Sequence, residues 1–283
     1  MSRRTIVLAV ALALTASTAY LAGSAAGSGA GGATTAGERT AIPGFSRVVF
    51  LSHANNPLKV PVFPGDPPFR MHTVFTVPND GFYLQYVKEG EHTGTHYSAP
   101  CHFHVAARCA DQLDPGDFIL PAVVVDVRTR VRENVDFQVS IAYLKKWQKQ
   151  HGPFPKNGAV LLWTGCDRWW GPQIGRDVPT YYNCGSADGR FRQPGFSKGA
   201  VLWLINKGVL AKRGALGTDT FGPDPGSDQT FFETWLTLRN HRFTLENLTN
   251  LDAMPTTGGW IVIGGPRNRH GSGAPSTIFG LAP

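Results

Sequence analysis

A short histidine-rich segment constrains this chain more than any other feature of its sequence. Four of the nine histidines fall between residues 92 and 104, at positions 92, 96, 102 and 104. Residues two apart share a face of an extended chain, and residues four apart share a face of a helix as well. Gly94 has no side chain and leaves room for an ion between His92 and His96. Neutral imidazoles held in this way suit a divalent transition metal, and a histidine-rich surface loop is the alternative.

Other groups near this segment offer further chemistry. His102 is placed to act as a metal ligand or as a proton shuttle. Cys101 and Cys109 are possible soft ligands, although their spacing fits no zinc-ribbon pattern. Four cysteines permit disulfides in an exported protein, and we favour the pair Cys166–Cys184. Four reduced thiols are the alternative.

The first forty residues have the composition of a targeting segment. Arg3 and Arg4 precede an uncharged stretch that ends in small residues, which predicts a signal peptide over residues 1–26. The paired arginines also resemble a twin-arginine signal, with an ordinary secretory signal as the alternative. Residues 27–40 are rich in Gly, Ala and Thr and predict a flexible leader. We therefore expect an exported protein, secreted or in the cell envelope, with a single domain over residues 41–283.

The charge of the chain argues against several partners. The formal net charge is +7, and removal of Arg3 and Arg4 leaves about +5 (7 − 2). The remaining basic residues are dispersed, so we expect no nucleic-acid binding, and no membrane contact after processing. A mild attraction for anionic substrates is all that the charge suggests. The sequence contains no Rossmann fingerprint, Walker loop or Gly-x-Ser-x-Gly elbow.

Hydrophobic periodicity predicts an α/β fold, a mixed sheet with helical cover. Strands are expected where apolar or alternating runs occur, at residues 47–51, 82–88, 122–127, 159–163, 216–220, 242–246 and 260–263. Two helices are expected to begin after the capping residues Ser140 and Ser197, and a third helix is expected over residues 230–240. Residues 57–70 are rich in proline and are expected to be irregular.

The segment from His92 to Phe103 resembles the motif of the metal-dependent cyclase family, which contains the bacterial kynurenine formamidases and isatin hydrolase. The family motif reads His-x-Gly-Thr-His-x-Asp-x-Pro-x-His-Phe, and the only specified position that differs here is Ser98, in place of Asp. Further matches follow in the same order as in the family, at residues 51–53, 64–67, 164–168, 217–220 and 246–251.

The resemblance implies a swivelling β/β/α domain, assembled as a homodimer or homotetramer. It implies that His92, His96 and Glu246 bind the metal and that His102 is the catalytic base. Ser98 and Thr234 stand where two-metal members carry an Asp and a His ligand. Hydroxyls are poor ligands beside imidazole and carboxylate, so Ser98 is a doubtful ligand and the second metal is expected to be lost. We expect one divalent ion, Zn or Mn, and Glu246 counts as catalytic because it would hold that ion.

The expected function is hydrolysis of an amide, cyclic amide or ester or lactone bond in a small molecule, as in arylformamidases. A non-catalytic binding protein on the same fold is the alternative, as is a cyclase or dehydratase that tailors natural products. Asp219 is expected either to orient a ligand histidine or to cap a turn, and His104 to pack. Four aromatic residues would line a substrate pocket or form a small core of their own: Trp169, Trp170, Tyr181 and Tyr182.

Overall fold

The computed structural model describes residues 42–171 and 180–283 of the 283-residue chain. The predicted signal peptide (1–26) and leader (27–40) lie outside the described residues, and the limits of the predicted single domain stay a prediction. Within the described ranges, the helices are all too short or too polar to cross a membrane.

The described residues form many short strands and a few helices. The strands are β1 Arg47–Phe50, β2 Arg70–Phe75, β3 Leu84–Lys88, β4 His96–Ser98, β5 Ile119–Asp126, β6 Gln138–Val139, β7 Ala159–Trp163, β8 Gly195–Phe196, β9 Arg213–Thr218, β10 His241–Glu246, β11 Gly259–Gly264, β12 Gly273–Pro275 and β13 Thr277–Ala282. The α-helices are α1 Val77–Asp80, α2 Arg128–Glu133, α3 Ile141–His151, α4 Lys198–Asn206 and α5 Phe232–Thr237.

The centre of the main sheet is parallel, and two of its strands, β5 and β7, are buried and apolar on both faces. Strands β5, β7, β9 and β10 pair in parallel, and antiparallel strands flank them on either side. Alternate residues of β5 enter different cores: Ala122 and Val124 join one core, and Val123 and Val125 join the other. This burial on both faces explains why β5 and β7 were predictable as continuous apolar runs.

The strand order requires the sheet to curl. The order is β1-β13-β11-β5-β7-β9-β10-β4-β12, so seven strand spacings separate β13 from β12. A flat sheet would place these two strands about 34 Å apart, at about 4.8 Å per spacing. Yet only Ser276 separates Pro275 at the end of β12 from Thr277 at the start of β13, and two residues span roughly 7 Å at most. The sheet therefore bends round until its two margins meet.

Helices cover one face of this sheet. Ser140 and Ser197 accept hydrogen bonds from the backbone N–H groups of Tyr143 (3.2 Å) and Ala200 (3.3 Å), which confirms both predicted helix starts. The buried residues of α3 and α4 join the second core, among them Leu144 and Leu204. The mixed sheet and its helical cover confirm the predicted α/β class.

Two regions differ from the sequence-based expectation. The third helix is shorter than residues 230–240, because Phe231 has a left-handed backbone (φ 53°) and helical geometry ends after Thr237. The β2–β3 hairpin was only half predicted, because β2 carries Arg70, His72 and Thr73 and lacks a clear apolar run. This hairpin leaves several large apolar side chains exposed: Val74, Phe82, Tyr83, Leu84, Tyr86 and Val87.

All four cysteines form disulfides. Cys166 pairs with Cys184, as predicted, and Cys101 pairs with Cys109. The suggestion that Cys101 and Cys109 are soft metal ligands was wrong, because a disulfide sulfur is no thiolate.

Candidate active site

The register of two paired strands builds the polar part of the site. Strand β4 runs antiparallel to β10, with His96 opposite Glu246 and Ser98 opposite Thr244. Side chains alternate between the faces of a strand, so His96 and Ser98 share one face while Tyr97 enters the first core. Four polar side chains from two strands therefore meet on one face of the sheet.

The carboxylate of Glu246 is held from two sides. Its Oε1 accepts hydrogen bonds from the hydroxyls of Thr244 (2.7 Å) and Ser98 (3.0 Å). Its Oε2 lies 3.4 Å from Nε2 of His96. Burial opposes ionisation of Glu246, but the charge of His96 and the hydrogen bonds from its neighbours outweigh it and lower the pKa to about 2. Ser98 thus orients Glu246 by donating a hydrogen bond to it.

The ring of His96 presents one nitrogen to Glu246. Its Nδ1 lies 2.9 Å from the carbonyl oxygen of Gly94, to which it donates. Its Nε2 is buried and has no hydrogen-bond partner within the described ranges. Burial lowers the pKa of His96, but the charge of Glu246 outweighs it and raises the pKa overall. A separation of 3.4 Å is long for a hydrogen bond, so the two groups interact mainly through charge when His96 is protonated.

A relay of hydrogen bonds sets the orientation of His92. Ser272 donates its hydroxyl to Oε2 of Glu91 (2.7 Å), so its oxygen accepts from Nε2 of His92 (3.0 Å). In the neutral ring, Nδ1 is then unprotonated, and it lies 3.3 Å from the hydroxyl oxygen of Ser98. Burial, followed by the charges of His96 and His102, lowers the pKa of His92 to about 3. His92 is therefore neutral at physiological pH, with a lone pair available to a metal.

His102 lies beside His92 in the same cavity. It ends the short 3-10 helix Pro100–His102, and its ring stacks on His92 with the centroids 4.0 Å apart. Burial lowers the pKa of His102 below its usual value, against the opposing effect of Glu246. A neutral His102 can accept a proton from a group bound in the cavity.

The cavity has a polar wall and an aromatic wall. Its volume is about 190 Å³. The polar wall contains His92, His96, His102 and Glu246. The aromatic wall contains Phe63, Phe103, Phe191, Phe221 and Phe231. Further polar residues complete the lining: Asp66, Gln193, Asp224 and Thr234.

Comparison with known proteins identifies the family. The family model described as "Putative cyclase" matches residues 49–225, more than half of the chain. The chain belongs to the cyclase family. The predicted resemblance is thereby confirmed, and the matched range contains His92, His96, Ser98 and His102.

Relatives of this cyclase-family chain include isatin hydrolases. The isatin hydrolase of Roseibium aggregatum is 26% identical over 224 residues, which cover 77% of this chain and 82% of that protein. The structure of isatin hydrolase A from Labrenzia aggregata, bound to benzyl benzoate, superposes with a TM-score of 0.72 at 26% identity, covering 83% of this chain and 93% of that one. Isatin hydrolase A from Ralstonia solanacearum gives a TM-score of 0.71 at 27% identity, covering 84% and 92%. The fold of this family is therefore the fold of this chain.

The even spacing of the histidines in this segment does not explain why their side chains meet, because the segment is not one extended strand. Only His96 lies in a strand, whereas His92 precedes it and His102 lies in a 3-10 helix. Gly94 faces Asn55 instead: its φ is +63°, and a Cβ there would lie 2.6 Å from Oδ1 of Asn55. The glycine is needed for a left-handed turn against Asn55. His104 donates from Nε2 to the carbonyl of Trp235 (2.8 Å), in keeping with a packing role.

Other predicted neighbours do not line the cavity directly. Within the described residues Trp169, Trp170, Tyr181 and Tyr182 are absent from its lining. Tyr181 packs behind the lining residue Phe221 and Tyr182 behind Phe191, with ring centroids 4.9 Å apart in each pair. Trp170 stacks on His53 and packs edge-on against Tyr181, as a small core would. Asp219 accepts hydrogen bonds from the N–H groups of residues 164 and 165, so it caps a turn.

The structure adds cavity residues that sequence reasoning missed. Asp66 belongs to the Pro-Gly-Asp-Pro segment, which matched the family without a role being assigned to it. Gln193 donates to the carbonyls of Gly222 (3.2 Å) and Asp224 (2.6 Å), which ties two loops together. The replaced family position, Thr234, donates its hydroxyl to the carboxylate of Asp224. A single sequence carries no signal for Gln193 or Asp224, because loops remote in sequence bring them to the cavity.

The ligand atoms of the predicted metal site have an open arrangement. In the described residues, two other groups have ligand atoms all within 4.8 Å of one another, and His92, His96 and Glu246 are not such a group. One of the two groups is Asp114, Asp117 and His241. There Asp117 is already paired with Arg213 (3.1 Å) and with His241 (2.6 Å), so the group is a satisfied ion-pair network. The other group is Asp224, Asp228 and Glu233.

Proposed function

We propose that this cyclase-family protein is a metal-dependent hydrolase that opens an amide, above all a cyclic amide, in a small aromatic molecule. The observation that carries the proposal is the cavity itself, in which three imidazoles and a buried carboxylate face a wall of phenylalanines. The relatives named isatin hydrolase support the same reaction class.

The chemical types of the donors fit a transition metal. His96 offers a buried Nε2 without a hydrogen-bond partner among the described residues, 3.4 Å from the carboxylate of Glu246. His92 offers the lone pair on Nδ1, because its proton is on Nε2, which donates a hydrogen bond to Ser272. Two imidazoles and one carboxylate are a common ligand set for Zn²⁺, and Mn²⁺ also accepts such ligands. His92, His96 and Glu246 would therefore hold one ion, and Ser98 would orient the carboxylate.

The chain supplies a base and a binding surface around that ion. When bound, the metal supplies Lewis acidity, which polarises an amide carbonyl and acidifies water. His102 is neutral near pH 7, so it takes the proton of the attacking water and returns it to the leaving nitrogen. Glu246 stabilises the positive charge that His102 then carries.

The aromatic wall selects the substrate. Five phenylalanine rings exclude water and favour a planar apolar ring. A volume of about 190 Å³ is small for a ligand cavity, which favours a compact substrate over a peptide. The polar wall would meet the carbonyl end of such a molecule.

A screen with metal removal and return tests the proposal. Purified protein is treated with a chelator, divided, reloaded with Zn²⁺ or Mn²⁺, and assayed with isatin, an aryl formamide and an aryl lactone. We expect turnover of at least the cyclic amide by the reloaded protein alone. If no substrate turns over and the protein retains neither metal, a binding protein on the same fold replaces the hydrolase.

Export and self-association are also proposed. Two disulfides within the described residues support an oxidising destination for the exported chain. A two-stranded hairpin is marginally stable alone, and the exposed apolar residues of β2–β3 support a homodimer or homotetramer that would bury them. Intact-mass analysis of culture supernatant and light scattering test these two proposals separately.

A further inference from the structure

A second set of candidate ligands lies on the loop that leads into α5. Asp224 and Glu233 are buried, with 2% and 3% of their surface exposed, and Asp228 is half-buried. The carboxylate oxygens of these three residues all lie within 4.8 Å of one another. Three carboxylates this close repel one another strongly in a buried environment, unless positive charge lies among them.

The surrounding chain compensates two of the three carboxylates fully and the third only in part. Asp224 accepts from the backbone N–H of Thr234 (3.0 Å) and from its hydroxyl. Asp228 accepts from the N–H (2.8 Å) and the hydroxyl (2.6 Å) of Thr230. Oε2 of Glu233 is buried with no hydrogen-bond partner in the described part of the chain.

The cluster also lacks a cationic side chain. Among the described residues, no Lys, Arg or His forms an ion pair with Asp224, Asp228 or Glu233. The side chain of Glu233 contacts the carboxyl groups of Asp224 and Asp228. A carboxyl group donates a hydrogen bond only when it is protonated. Burial, followed by the charge of Asp224, raises the pKa of Glu233 to about 8, as expected where negative charge is uncompensated.

We propose that Asp224, Asp228 and Glu233 bind a hard divalent cation of the Ca²⁺ class, at a site separate from the imidazole-containing one. All of the candidate ligand atoms are oxygens, which favours Ca²⁺ over Zn²⁺. Ca²⁺ accepts several carboxylate oxygens at about 2.3–2.6 Å in a flexible geometry, so three neighbouring carboxylates can serve one ion.

A cation bound by Asp224, Asp228 and Glu233 would stabilise one wall of the active cavity. Asp224 lines the active cavity, and so does Phe231, which lies between Asp228 and Glu233 in sequence. Phe231 has a left-handed backbone (φ 53°), a conformation that costs free energy in a bulky residue. A cation bound at both ends of this loop would hold Phe231 in the aromatic wall.

Calorimetric titration with CaCl₂ alone tests the proposal. The protein is first treated with a chelator, and the wild type is compared with Glu233→Gln and with Glu133→Gln, a matched change on the exposed end of α2. We expect one equivalent of Ca²⁺ to bind to the wild type and to Glu133→Gln. Affinity should fall at least about tenfold in Glu233→Gln, since ligand charge sets Ca²⁺ affinity. Asp228→Asn, at a less buried position, should weaken binding likewise and serves if Glu233→Gln does not fold.

Two results would overturn the proposal. The first is the absence of binding heat and of any Ca²⁺-dependent rise in Tm in the wild type. A proton shared between Glu233 and Asp224 would then explain how the buried carboxylates lie so close together. The second is equal affinity in the wild type and in folded Glu233→Gln or Asp228→Asn, which would place the ion elsewhere. The readout is binding of Ca²⁺ without substrate, so it is independent of whether the protein is a hydrolase.

Discussion

The two walls of the cavity are built in different ways. The polar wall rests on one antiparallel strand pair, whose register sets His96 opposite Glu246. The aromatic wall is collected from separate loops, and its rings hold one another by edge contacts. Phe63, for example, lies 5.6 Å from Phe191, 5.5 Å from Phe221 and 6.0 Å from Phe231, between ring centroids. His96 and Glu246 are thus fixed on paired strands, whereas the phenylalanines proposed to select the substrate lie on loops.

The largest effect is expected in the polar wall, from His96→Ala. This change removes a ligand, so bound metal and activity should disappear together, with activity falling by roughly 10³-fold or more, as expected for loss of several kcal/mol of Lewis-acid stabilisation. Metal content and turnover are measured on the same sample. His104→Ala is the matched control, because His104 bonds to Trp235 outside the cavity. Retention of full metal by His96→Ala would remove it from the ligand set.

His102→Ala should separate metal binding from catalysis. Turnover should fall by about 10²–10⁴-fold with metal retained, since a general acid–base is lost. Burial lowers the pKa of His102, so the acid limb of kcat/KM in the wild type should lie below pH 6.5, and activity should fall as pH drops through it. That limb should be missing from the variant. Loss of metal equal to that of His96→Ala would contradict the assigned role.

In the aromatic wall, Phe221→Ala should act on binding. Loss of a buried phenylalanine contact is worth about 1.5–3 kcal/mol, so KM should rise by about 10–100-fold while kcat changes little. Phe82→Ala on the exposed hairpin is the control and should leave KM unchanged. A fall in kcat as large as the rise in KM would show that the aromatic wall contributes to catalysis as well as to substrate binding.

The smallest effect is expected from Glu91→Gln, behind the polar wall. The amide of Gln still accepts from Ser272 but carries no charge, so the relay to His92 weakens and metal affinity should fall by about tenfold. Competition with a metal-binding dye measures the change, and Glu89→Gln is the nearby control. Unchanged affinity would mean that the relay does not orient His92.

The sequence predicted the polar wall better than the aromatic one for a physical reason. His92, His96 and His102 form a local signal, and the Ser140 and Ser197 caps and the β5 and β7 runs are local as well. Of the two predicted roles for the aromatic residues near Trp169, the structure favours a small core, because the lining phenylalanines come from distant loops. The contact of Gly94 with Asn55 was not predicted either, since the approach of Asn55 is a tertiary contact. Tertiary contacts of this kind leave no periodic pattern in a single chain.

Anomalous diffraction from crystals of the metal-loaded protein tests the central claim most directly. Data collected at the Zn or Mn absorption edge show each transition-metal ion as a peak. The account predicts one peak per chain, between Nε2 of His96 and the carboxylate of Glu246 and within reach of His92. A cavity without a peak, or a second peak of equal height beside Thr234, would contradict it.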